Sequence, residues 1–172
     1  GAGTVKLWDF EHSQETGILP SVNERITDLV FSPNGKMAVG SDSYWGINVW
    51  TLDGEKPKTL KTPSEQNFSV AISPDKRTLA IAKECELDDP YCSIPLMDIA
   101  NGKIIRSLKD ENSQTNTERE GLSKIVSVAF NNDGSILATS GSQDVVGDQK
   151  VDGETVDVFF NTIKLWDVIP RK

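Results

Sequence analysis

Lys6-Leu7-Trp8-Asp9 returns three times along the chain, as Asn48-Val49-Trp50-Thr51, Pro95-Leu96-Met97-Asp98 and Lys164-Leu165-Trp166-Asp167. The third position recurs after 42, 47 and 69 residues. A second phrase precedes three of the copies: Phe31-Ser32-Pro33-Asn34-Gly35, Ile72-Ser73-Pro74-Asp75-Lys76 and Phe130-Asn131-Asn132-Asp133-Gly134. Two coupled phrases at a recurring spacing mark an array of one supersecondary unit, since a single such unit cannot bury its own apolar face. The widening interval places insertions in the later units.

Each unit reads as four short strands. Apolar, β-branched and aromatic runs at Ile26 to Phe31, Phe68 to Ile72 and Ile125 to Phe130 are bounded by turn residues, as strands are. Asn, Asp and Gly tolerate positive φ, so Ser32 to Gly35 and Asn131 to Gly134 supply tight turns. The next strands, Met37 to Gly40, Thr78 to Ala82 and Ile136 to Ser140, carry small residues suited to close sheet-to-sheet approach. In the third strand a period of two puts Lys164 and Trp166 on one face and Ile163, Leu165 and Asp167 on the other. Fourth strands follow at Pro57 to Leu60 and Lys103 to Leu108, with Gly17 to Pro20 in the same place in the first unit.

This order of strands and turns resembles the WD40 repeat of β-propellers, from Thr4 to Val168. The resemblance implies an all-β propeller of about three to three and a half four-stranded blades, a partial ring. Its divisions are a blade remnant at 1–22 and blades at 23–61, 62–109 and 110–172. Trp8, Trp50, Met97 and Trp166, with Asp9, Asp98 and Asp167, become structural repeat residues, the tryptophans being core. The leading pair of outer strands lacks an inner half. The array therefore reads as the C-terminal half of a larger ring, partnered by the other half or by a second copy of the chain. Strong repeats of this family place a Gly-His pair before the first strand. Here the only histidine is His12, preceded by Glu11, so that hydrogen-bond network is absent or substituted.

A non-catalytic scaffold for a protein or peptide is the function the resemblance implies. Propeller topology puts three insertions on one face: 84–92, 110–123 and 142–161. They hold 13 acidic residues against Arg119 and Lys150, a balance of −11 in a chain of −8. Loops on a rigid scaffold concentrate binding residues, and this charge favours a basic partner. Asp88, Asp89, Tyr91, Glu118 and Glu120 are the candidate contacts there, with Tyr44 and Trp45 in a shorter turn of the same face. Phe159 and Phe160 lie in a stretch that reads either as an extra hairpin strand or as an exposed apolar contact. The bland alternative for all the acids is a solvated surface that keeps the chain dispersed.

The same acidity disfavours nucleic acid, whose phosphates need cations. No apolar run is long enough for a membrane helix, and no charged and apolar leader is visible, so the expected location is cytoplasmic. Cys85 and Cys92 flank one loop and are either reduced thiols or a loop-stapling pair. Asp148 to Glu154 lacks the alternating ligands of a calcium loop. Nucleophile-elbow, phosphate-loop and zinc-protease motifs are missing. The expectation is no enzyme, no cofactor and no metal.

Overall fold

The computed structural model describes residues 3–22, 25–35, 37–42, 46–52, 58–62, 67–84, 92–109, 124–151 and 154–168. These residues form strands and turns only, in four antiparallel sheets whose strands lie side by side in chain order. The first sheet is β1 (Gly3–Asp9) with β2 (Gln14–Val22). The second is β3 (Ile26–Phe31), β4 (Met37–Asp42), β5 (Gly46–Thr51) and β6 (Lys58–Lys61). The third is β7 (Asn67–Ile72), β8 (Thr78–Lys83), β9 (Ile94–Asp98) and β10 (Ile104–Leu108). The fourth is β11 (Lys124–Phe130), β12 (Ile136–Val151) and β13 (Glu154–Asp167).

The turn phrase works as its residue types demand. Gly35 N–H donates to the Ser32 carbonyl at 2.8 Å, and Met37 N–H to the Ser32 hydroxyl at 3.0 Å. Ser73 repeats the arrangement, accepting from Lys76 N–H at its carbonyl and from Thr78 N–H at its hydroxyl. In the last sheet the Asn131 side-chain oxygen replaces the serine hydroxyl and accepts from Ile136 N–H at 3.0 Å. The fourth residue of the turn takes positive φ each time: 67° at Gly35, 64° at Lys76 and 75° at Gly134.

Successive sheets meet face to face, with β7 touching β3 on one side and β11 on the other. The two faces of a strand therefore belong to different cores. Leu79 and Ile81 of β8 pack with Val39, Ile47, Val49 and Leu60 of the preceding sheet. Ala80 and Ala82, on the opposite face, pack with Ile125, Val128 and Leu137 of the following sheet. Burying both faces is what lets a strand of alternating large and small apolar residues stay in register. Asp28 ties the inner strands together, its carboxylate accepting from Val70 N–H at 2.9 Å and Leu29 N–H at 2.8 Å.

The repeat tryptophans show how the expected Gly-His network is replaced. Trp50 is fully buried, and its indole N–H donates to the Pro20 carbonyl of the neighbouring sheet at 2.9 Å. Trp166 donates to the Thr139 hydroxyl at 3.0 Å. Met97, buried at the same position, has no polar atom requiring a donor or acceptor. The expectation of a buried Trp8 is corrected, because its ring is largely exposed. Its face of β1 points away from the second sheet, where Leu7 packs instead. The repeat aspartates cap turns: Asp98 accepts from Ala100 and Asn101 N–H, and Asp9 from His12 N–H at 3.1 Å. Asp167, in the fourth copy, is exposed.

Candidate functional site

In an antiparallel meander, alternate connections leave from opposite ends of the sheet. The β7–β8, β9–β10 and β11–β12 turns therefore share one rim, and the β8–β9, β10–β11 and β12–β13 connections the other. Neighbouring sheets keep this orientation. On the tight-turn rim a methyl added at Gly134 would stand 3.1 Å from Pro74 Cδ of the preceding sheet's turn. On the opposite rim Glu84, at the end of β8, bridges to Lys124 at the start of β11.

The tight-turn rim is held by carboxylates. Asp75 lies below the ordinary aspartate value of 3.8, chiefly because the Ser73 hydroxyl donates to it, and then because Arg77 N–H does. Asp133 is lowered by Ser135 in the same way, through side chain and then backbone. These acids are committed to turn hydrogen bonds.

The opposite rim holds a buried polar group that sequence reading missed. Lys83 is buried, its ammonium donating to the Glu84 carbonyl at 3.3 Å. Asn67, its ladder partner, is buried as well and donates from Nδ2 to the Thr62 hydroxyl at 3.0 Å. The Asn67 carbonyl accepts from the Thr27 hydroxyl at 3.1 Å. Alternation was the available signal, since Leu79, Ile81 and Lys83 share a strand face whose first two members are core. The Lys124 ammonium stands 6.0 Å from the Phe68 ring centroid, over the inner strand of the neighbouring sheet.

From Gly141 and Thr162 the last two strands continue as a two-stranded arm on this rim, reaching Val151 and Glu154. A register slip falls between Val145 and Gln149. The stretch that reads as either an extra hairpin strand or an apolar contact is thus paired backbone. Phe159 lies opposite Asp144, Phe160 opposite Gln143 and Val158 opposite Val145. The side chains of Phe159 and Phe160 lie outside the described residues, as do Tyr44, Trp45, Asp88, Asp89, Tyr91, Glu118 and Glu120 altogether. Of the two cysteine alternatives the structure takes the bond: Cys92 is disulfide-bonded, and Cys85 is the only other cysteine in the chain. No helix of the described residues is long and apolar enough to cross a membrane.

The profile of the WD domain, G-beta repeat, matches residues 114–146, within the last unit. The last unit thus carries a WD40 repeat. The four antiparallel sheets described above fit an all-β, propeller-like architecture. The chain is 29% identical over 85 residues to the Protein LST8 homolog of Drosophila melanogaster, a match covering 45% of this chain and 27% of that protein. Over 85 residues it is 27% identical to human apoptotic protease-activating factor 1, covering 44% of this chain and 7% of that one. The chain thus spans about a quarter or less of these relatives. Among solved structures it is similar to Kuenenia stuttgartiensis hydrazine synthase, with a TM-score of 0.72 and 20% identity. That likeness covers 96% of this chain and 45% of the other, and it speaks to the fold alone.

Proposed function

We propose that this chain is a non-catalytic scaffold that holds a basic protein segment or peptide against its rim of long connections. WD40 repeats generally serve as protein-interaction scaffolds. The observation that carries the finer reading is the distribution of charge: 13 of the chain's 26 acidic residues fall in 84–92, 110–123 and 142–161, with only two basic residues among them. The first two stretches join strands at one rim, and the third is the β12–β13 arm that leaves from the same rim. Complementary potential of this kind raises the rate of encounter more than it slows dissociation.

The paired arm of β12 and β13 supports the reading in a second way. A hairpin held by the ladder of its parent sheet presents its residues with less entropy to lose on binding than a free loop would. Reversing charge at Asp88, Asp89, Glu118 and Glu120 to lysine is expected to slow capture of an oligolysine peptide about tenfold or more at low salt, with the dissociation rate little changed. An association rate indifferent to both the substitutions and the salt would remove the electrostatic basis of the proposal. A cytoplasmic location is the expectation from the sequence, whereas cytosolic thiol buffers keep most disulfides reduced. The redox state of Cys92 in cells separates the two.

A further inference from the structure

We infer that the joint between the second and third sheets contains a binding site for a single buried water, built around Asn67. Asn67 and Lys83 stand opposite each other on the β7–β8 ladder, at the end of the sheet from which the long connections leave. The equivalent pairs are Ile26 with Asp42 in the second sheet and Ile125 with Gly141 in the fourth. A register slip follows the inner-strand residue in all three, so the equivalence is one of backbone geometry. The third sheet alone puts a polar side chain where these two have isoleucine. Both members of its pair are buried, Asn67 being 2% exposed and Lys83 3%.

The polar atoms of Asn67 can be followed one by one. Its main-chain carbonyl accepts from the Thr27 hydroxyl of the second sheet at 3.1 Å. Its Nδ2 donates to the hydroxyl of Thr62, just beyond the last strand of that sheet, at 3.0 Å. Its Oδ1 is buried and accepts from no group of the protein. Turning the amide over moves the problem without removing it. The Thr62 hydroxyl could then donate to the oxygen, but the N–H groups would be buried with no acceptor. An enclosed acceptor left without a donor forfeits the hydration it has in the unfolded chain, which is why native interiors satisfy nearly all such atoms.

Whatever completes Oδ1 must donate a proton, fit an enclosed position and tolerate a neighbouring cation. Directly opposite residues share a sheet face, which brings the Lys83 side chain alongside that of Asn67. A second ammonium or guanidinium group would meet that charge at close range in a buried setting. A carboxylate has no proton to give. Water meets all three conditions, since it donates to Oδ1 while its own oxygen accepts from a cation or a hydroxyl. Buried waters of this kind ordinarily make about three hydrogen bonds and belong to the fold as side chains do.

The test is magnetic relaxation dispersion of the water oxygen nucleus, which counts waters held in a protein far longer than those on its surface. The full chain is compared with Asn67→Leu. Leucine is close to asparagine in shape, and Ile26 and Ile125 show that the ladder position takes an apolar residue, so the variant is expected to fold. The parent should carry one more long-lived water per chain than the variant. Equal amplitudes would overturn the site. A high-resolution crystal structure of the parent tests it without any substitution: a water should lie within hydrogen-bond distance of Asn67 Oδ1. An oxygen that instead accepts from a protein group, or stands with no donor at all, would overturn it too.

Discussion

Lys76 holds φ at 64° where the other two turns have glycine. A side chain in the left-handed region costs roughly 1–2 kcal/mol, part of which returns as lower entropy of the unfolded chain. Lys76→Gly is therefore expected to stabilise the chain by about 0.5–1 kcal/mol in denaturant unfolding. The neighbouring Asp75 carries a pH dependence. Its folded value is below 3.8 because the charged form accepts hydrogen bonds, first from Ser73 and then from Arg77. The stability it contributes is complete above the unfolded aspartate value of about 3.9 and is lost as pH falls through the lower folded value. NMR titration should place its midpoint below 3.8, and Asp75→Asn should flatten the acid limb of the stability curve. The repeat tryptophans divide by surroundings. Trp50→Ala removes a fully buried ring and its bond to Pro20, with an expected loss of about 3–5 kcal/mol. Trp8→Ala, measured on dilute chain, should change stability by no more than about 0.5 kcal/mol.

At the scale of strands, alternation and turn chemistry made much of the architecture legible. The first strand of the second sheet runs from Ile26 to Phe31 as its sequence indicates, and the third and fourth sheets add one residue before Phe68 and Ile125. Trp8 was not legible, because its sequence is that of a buried repeat strand and its exposure depends on what lies against the sheet. Nor was the length of the β12–β13 arm, where Asp144, Asp148 and Asp152 read as loop composition while the backbone pairs as strand through Val151. A ladder already started by Leu137 and Trp166 extends outward at little further entropic cost, which local propensity does not register. The bond at Cys92 depends on Cα approach across a connection, and residue spacing leaves that open. Alkylation of unfolded chain purified without reductant should add no label until a reductant is present. Labelling of both cysteines beforehand would contradict the bond.

For the whole molecule, the decisive property is that each of the two middle sheets shares its faces with two cores while the connections sort to two rims of unlike length. The tight-turn rim spends its carboxylates on capping, as at Asp75, Asp98 and Asp133. The other rim carries insertions whose charge is not needed to close a four-residue turn, and it is there that we place the partner. Sequence supplied the residue types of those connections, and the meander gives the end of the sheet from which each connection leaves. Which side chains meet a partner could not be read from spacing, because long connections are placed by tertiary contacts rather than by period. The most direct measurement is amide hydrogen exchange on the full chain with and without a saturating basic peptide. Protection is expected at Glu84 and its following connection, around Lys124 and along the arm from Gly141 to Thr162. The turns at Ser32, Ser73 and Asn131 should exchange as before. Protection confined to those turns, or spread evenly over both rims, would contradict the account.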